Sequence, residues 1–462
     1  MKTLALALRN LLRNRRRSLT TLLAMSIGLI AILLFGGYRS NIVYGTQTGF
    51  VQRTGHLQIQ RAGYFLDGND NPTAYGIADY RHIVDAVRSD PVLAPMLTVV
   101  TPTLQLGGLA GNFSAGISRS VIATGLVADE HNRMLAWNDY ELKSYARPLA
   151  LAGTREDSVV VGTGVARKLK LCAALHVEGC NQAPDAAKPG GTAAPDDIAA
   201  LSALEGENRP PKEENRIEML AATAHGAPNV ANLSVVRADN MGIKALDDVY
   251  MAMHLSQAQK LIYGSASPQV TAIVVQLRHT SQLPAARERL KELLAAGFAG
   301  QALDVLDFAA INPIYGQTNQ FMDSMFGFIA TLIGVIVLFT IGNTMSTAVV
   351  ERTVEIGTLR AMGLRRSGIR RLFMSEALLL GVAGSIIGVS SALGIAYLIN
   401  HSGWSWTPPG YSYAYLILVR VWQDPQLMIG SVIGMIAVTV LSAWWPANRA
   451  AKLAIVDALR HS

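Results

Sequence analysis

Four apolar stretches constrain this chain more than any other feature: about Ser18–Tyr38, Met325–Val350, Leu372–Ile399 and Leu427–Trp445. Each matches or exceeds the ~20 residues a helix needs to cross a ~30 Å hydrocarbon core. They set the fold class as integral membrane α-helical, with four transmembrane helices. The remainder must live in water. Composition agrees, because 50% hydrophobic and 16% charged residues with a mean hydropathy of +0.27 describe neither a soluble protein nor a purely membrane one. The first stretch is expected to stay as an uncleaved signal anchor. Its apolar run is longer than a signal peptide's, and GGYRSNIVYG behind it offers no small-x-small cleavage site.

The charge is split along the chain. Residues 45–320 hold 23 Lys+Arg against 27 Asp+Glu, whereas the rest holds 17 against 6. The net positive charge of +7 therefore sits beside the spans and gives no basis for nucleic-acid binding. Lys2, Arg9, Arg13, Arg15, Arg16 and Arg17 precede the first span, six arginines lie within 351–371, and Arg449, Lys452 and Arg460 follow the last. The 400–425 loop has Arg420 alone. By the positive-inside rule both termini and the 351–371 linker are expected in the cytoplasm of a bacterial inner membrane, with 45–320 on the periplasmic side.

The expected divisions are an amphipathic interfacial helix (1–17), a first span (18–44) and a large α+β extracytoplasmic domain with two subdomains (45–320). A second span (321–350), the linker (351–371), a third span (372–399), a short periplasmic loop (400–425), a fourth span (426–447) and a cytoplasmic tail (448–462) follow. In the first division Leu4, Leu8, Leu11 and Leu12 recur at helical spacing opposite Arg9, Arg13, Arg16 and Arg17, a pattern that predicts a helix on the membrane surface. In the third, LQIQ (57–60), VVVG (159–162), LSVV (233–236), DVYMAM (248–253) and TAIVVQL (271–277) read as strands. ADYRHIVDAVRS, GTGVARKLKL, LSQAQKLIYG and LPAARERLKELLAA read as helices, with Thr163 and Ser256 as start signals. Residues 181–215, rich in Ala, Pro, Gly and acids, read as a flexible insertion. Beside it Cys172 and Cys180 are either two thiols or a small disulfide loop, and an extracytoplasmic setting favours the disulfide. No metal site is expected.

Catalytic motifs are missing from the sequence. It contains no GxxxxGK[ST], HExxH, paired CxxC or GxSxG, and GTGVAR (162–167) lacks the third glycine of a dinucleotide turn. Full charges are nearly absent within the spans, apart from Asp323 and Glu376 near their ends, which argues against an ion-coupled carrier or channel. Gly381, Gly384 and Gly388 permit close helix contact in the third span, either within one protomer or between subunits.

The linker ERTVEIGTLRAMGLRRSGIRR (351–371) carries more than topology requires. Glu351 and Glu355 suit the start of a helix, and Ile356, Leu359 and Met362 form a stripe roughly 120° wide. Gly363 lets the chain turn, and Arg365, Arg366, Arg370 and Arg371 sit at the headgroups. The pattern describes a short amphipathic helix offered to a partner. Glu376, about one turn into the third span, is a candidate to pair with an arginine of the linker or the N-terminal helix.

The run from Glu351 through Gly394, ERTVEIGTLRAMGLRRSGIRRLFMSEALLLGVAGSIIGVSSALG, resembles the signature of the MacB/LolC/FtsX-like permeases of ABC transporters. The matching positions are Glu351, Arg352, Glu355, Ile356, Gly357, Leu359, Arg360, Ala361, Gly363 and Glu376. LRNLLRNRRRSLTTL and PANRAAKLAIVDALR resemble that family's ends, and so does the order of one span, a large domain and three spans. The resemblance implies that the linker is a coupling helix docking into a separate ATPase through Glu351, Arg352, Glu355, Ile356, Gly357, Leu359, Arg360 and Gly363. It implies a permease that binds no cofactor, ATP and magnesium belonging to the ATPase, and that pairs with a second permease protomer. Motion of the external domain (mechanotransmission) would drive export or extraction of a lipoprotein, peptide, toxin or lipid, with a periplasmic adaptor or lipoprotein carrier as further partner. The alternative is a regulator that transports nothing and activates a periplasmic cell-wall hydrolase.

Overall fold

The computed structural model describes residues 2–13, 15–68, 71–142, 147–177, 215–407, 409–411 and 414–453. The chain divides into two compact units, one of Met1–Thr46, Ile314–Trp406 and Tyr415–Ser462, the other of Gln47–Pro313 and Thr407–Ala414.

The first unit is helical: α1 (Lys2–Arg13), α2 (Arg15–Thr54), α3 (Pro313–Glu351), α4 (Thr353–Ala361), α5 (Arg366–Ser402) and α6 (Pro425–Lys452). Four of them, α2, α3, α5 and α6, are long and apolar enough to span a membrane, so the protein is multi-pass. Each of the four outruns its apolar stretch. The basic residues Arg366, Arg370 and Arg371, expected in the linker, are the opening turns of α5, and α6 continues to Lys452. Hydropathy marks the hydrocarbon, but arginine and alanine are good helix formers and let the backbone continue into the headgroups.

Small residues seat these helices on one another. A Cβ at Gly384 would lie 3.2 Å from Met25 Cβ, and one at Gly388 3.0 Å from Leu29 Cβ, both on α2. Ser26 Oγ donates to the Gly384 carbonyl at 3.2 Å. Gly381 faces Thr439 of α6 at 3.5 Å. These contacts lie within one protomer. The resulting core gathers Met25, Leu29, Leu33, Ile341, Phe373, Ala377, Leu380 and Ala443.

The second unit is α+β and built around one long strand. The strands are β1 (Leu57–Arg61), β2 (Leu97–Asn112), β3 (Ile117–Leu126), β4 (Ser158–Gly162), β5 (Arg216–Ala222), β6 (Pro228–Asp239), β7 (Tyr250–His254), β8 (Ala272–Leu277) and β9 (Leu303–Asp307). The first half of β2 joins an antiparallel sheet, β2-β8-β1-β9, whose core is shared with helices Tyr80–Ser89 and Leu283–Gly297 through Ile83, Val87, Ala286 and Leu290. Its second half pairs with both β3 and β5, closing the order β3-β7-β4-β6-β5-β2 on itself. Closure removes exposed sheet edges. The open sheet and the closed ring form two lobes that share β2 and one continuous core.

The dinucleotide-like GTGVAR turn is filled from within. Asp247 accepts from Thr163 N at 3.0 Å and Gly164 N at 3.1 Å, occupying the helix start where an anion would bind. A Cβ at Gly162 would meet the Asp247 carbonyl oxygen at 2.2 Å. The helix start expected from Thr163 is therefore capped by Asp247, and the other, expected from Ser256, begins at Leu255 behind His254. Cys172 opens a short helix and is buried, and among the described residues no cysteine is free. Cys180, its expected partner, and 181–214 of the expected insertion lie outside the described residues.

Where α2 ends, Gly55 takes φ +71, and its N–H bonds to the Val51 carbonyl at 3.0 Å. His56 follows, fully buried, its Nδ1 accepting from Leu277 N at 3.0 Å and its ring edge-on to Trp137 at 4.9 Å. Burial, opposed in part by Asp139, lowers its pKa from 6.5 to about 4.

Two outcomes follow from this packing. Gly388→Val should lower the melting temperature in detergent by several degrees, whereas Gly394→Val, with nothing within 4 Å, should leave it nearly unchanged. For His56, the unfolded chain takes up a proton below pH 6.5 that the folded chain refuses until about pH 4. Stability should fall across that window by on the order of 3 kcal/mol, and His56→Asn should flatten the difference between pH 7 and pH 4.5 melts.

Candidate functional site

The corner joining α3, α4 and α5 concentrates the chain's polar chemistry within its apolar unit. α3 ends at Glu351, and Arg352 leaves helical geometry at φ −102 before α4 begins. That single break turns Arg352 inward. Its Nη1 lies 3.0 Å from Glu376 Oε1 in α5, and the two residues are only 8% and 2% exposed. Asn10 of α1 completes the group: its Nδ2 donates to Glu376 Oε1 at 2.7 Å, and its carbonyl accepts from Arg352 Nη2 at 3.3 Å. A charge buried this way is tolerable only with its partner, and removing one partner typically costs ~3–5 kcal/mol.

Two more pairs tie the same elements at the surface. Arg17 Nη2 meets Glu351 Oε1 at 2.8 Å, and Arg13 pairs with Glu355. α1 is therefore packed against the bundle through Ala7, Asn10 and Leu11. Of the stripe expected to lie on the membrane surface, the Leu4, Leu8 and Leu12 side chains are outside the described residues. At the opposite end of the spans Asp323 is likewise neutralised, by Arg39 Nε at 2.6 Å.

α4 shows which linker residues can meet a partner. Ile356 and Gly357 are buried, Ile356 among Val349, Ile369 and Phe373, and Leu359 is half-buried. Arg360 donates to the Leu453 carbonyl after the end of α6. The stripe Ile356–Leu359–Met362 is thus not one docking face. Its first two members hold α4 to its own bundle, because an apolar side chain at the water boundary buries itself against the nearest apolar helix. The outward surface is Val354, Thr358, Ala361 and Met362, the last 72% exposed. Glu351 and Glu355 are exposed but already engaged by Arg17 of α2 and Arg13 of α1, and Arg352 is not accessible. Gly363 closes the helix at φ +97, a conformation costly for any side chain, and Leu364 N bonds back to the Leu359 carbonyl at 3.1 Å.

The sequence reading overlooked Asn10 and the pairing roles of Arg13 and Arg17. Asn10 and Arg13, three residues apart, share a face of α1, whereas Arg17 lies in the first turn of α2. Their partners, more than 300 residues away, had no local signal.

Part of this corner lies within a segment that matches a known family model. Residues 327–455 match the family described as FtsX-like permease C-terminal. The chain is 35% identical over 143 residues to the ABC transporter permease YtrF of Bacillus subtilis (strain 168), covering 29% of this chain and 30% of that protein. It is 29% identical over 199 residues to a macrolide export ATP-binding/permease protein MacB of Bdellovibrio bacteriovorus, covering 42% and 28%. A pyoverdine export ATP-binding/permease protein PvdT of Pseudomonas savastanoi pv. phaseolicola is 30% identical over 215 residues, covering 46% and 30%. Each match spans less than a third of the relative's own length.

The two kinds of ion pair should separate on mutation. Glu355→Ala, at an exposed pair, should change stability by no more than about 1 kcal/mol. Glu376→Ala should cost about 3–5 kcal/mol, and adding Arg352→Met should recover much of it. Thermal melts of the purified protein in detergent read all three.

Proposed function

We propose that α4, within the segment 327–455 that matches the FtsX-like permease C-terminal family, is the coupling helix through which the chain meets an ATP-hydrolysing partner. The observation that carries the reading is the outward face Val354–Thr358–Ala361–Met362, apolar at its centre, rimmed by Arg365 and Arg366, and held rigidly from behind. An exposed apolar patch on a braced element at the water boundary is what a docking contact needs.

The sequence has no GxxxxGK[ST], so ATP and magnesium are bound by a nucleotide-binding domain outside it. In this reading α1, α4 and the end of α6 lie on the cytoplasmic side of a bacterial inner membrane and the α+β domain on the periplasmic side, which the arginine-rich flanks of the spans support. ATP-driven closure of the partner pushes α4 and, through the spans, moves that domain to export or extract a substrate. The names of MacB and PvdT describe export, which supports this direction. A second permease protomer packs against α3, the least covered span, whose Phe321, Phe328, Leu332, Val335 and Phe339 lie exposed at helical spacing.

Val354→Glu and Met362→Glu test the docking face. Affinity purification from native membranes should retain an ATPase with the parent and at least about tenfold less with either variant, while membrane insertion and melting temperature stay unchanged. Equal recovery with both variants would remove the coupling assignment.

A further inference from the structure

We infer that Asn10, Arg352 and Glu376 are positioning residues through which α1 fixes the attitude of α4, making α1 a working part of the coupling device. The inference rests on the coupling role proposed for α4. Three segments far apart in sequence converge on one carboxylate oxygen, Glu376 Oε1, which takes Asn10 Nδ2 at 2.7 Å and Arg352 Nη1 at 3.0 Å. Arg352 Nη2 then returns to the Asn10 carbonyl at 3.3 Å, so each residue touches the other two. At the surface Arg13 repeats the connection from α1 to α4 by meeting Glu355, while Arg17 of α2 meets Glu351 at the end of α3.

The inner triangle and the outer pairs differ in what they can do. The outer pairs are exposed and screened by salt, so they guide registration without holding it. The inner triangle is largely buried, Asn10 partly so. α4 cannot slide relative to α5 or α1 without stranding a buried charge from its partner. Arg352 Nε already lacks one. A push on α4 is therefore passed to α5 through Glu376 and to α1 through Asn10, and α1 leads directly to α2. A linker that only set topology would have no use for a cluster reaching back 342 residues to Asn10.

The test uses the full chain in lipid nanodiscs, alone and with the ATPase it retains. Hydrogen–deuterium exchange over residues 2–13 and 353–361 reads the clamp. Glu376→Gln should raise exchange in both segments by about tenfold, with the centre of α6 still protected. In the complex, the KM for ATP should stay at the parental value while the chain-stimulated kcat falls by about tenfold. The charge-reversed double variant Arg352→Glu with Glu376→Arg should recover part of both. Should Glu376→Gln fail to accumulate, Asn10→Ala removes the side-chain bond from α1 to Glu376 without exposing a charge, leaving the Asn10 backbone carbonyl on Arg352, and carries the same two readouts. Unchanged exchange over 2–13 would overturn the clamp. Loosened exchange with parental kcat would overturn the positioning role. A parent that retains no ATPase contradicts the coupling reading and the positioning role with it, while the exchange result still decides whether α1 is clamped.

Discussion

A buried arginine facing a buried glutamate at the edge of an apolar bundle sets the terms for the rest of this structure. Neither Arg352 nor Glu376 can be held there alone, because desolvating a single charge costs more than local packing returns. Their pairing forces α3 to break at Arg352, brings the start of α5 under α4, and draws Asn10 of α1 into the same contact. The direction in which α4 presents its surface follows from that one break.

The rest of the helical unit supports the corner. Gly384 and Gly388 let α2 approach α5 closely, and Gly381 admits Thr439 of α6, so the spans pack on backbone and on small side chains. Such contacts suit a medium in which burying apolar surface yields little, and shape fit must supply the attraction. In the other unit the long strand β2 plays the joining part. It belongs to an open sheet along its first half and to a closed ring of strands along its second, so its two lobes share backbone hydrogen bonds and core. Both units thus tie separate pieces together at a single element.

Much of this was legible in the sequence, in proportion to how local its physics is. The four spans, the helices at 80–89, 163–168, 255–263 and 283–297, and strands such as VVVG and TAIVVQL follow from short-range pattern. β2 was missed because Pro102, Gly107, Gly108 and Gly111 interrupt its pattern, although a strand with partners on both sides tolerates them. Glu376 stood out as a charge in an apolar run and so as a residue needing a partner. Periodicity located the stripe Ile356–Leu359–Met362 but not the neighbour it would meet, and α4's own bundle claimed Ile356. Asn10 carried no distinguishing signal, since its partners lie more than 300 residues away.

The central claim is that the outward face of α4 is where an ATP-hydrolysing partner grips this chain. A photo-crosslinking residue at position 362, activated in native membranes and followed by mass spectrometry of the adduct, tests it most directly. The account predicts an adduct with a P-loop ATPase, and none from the same probe at position 397 near the far end of α5. Crosslinks from 362 to lipid alone, or to proteins without a nucleotide-binding fold, would contradict it.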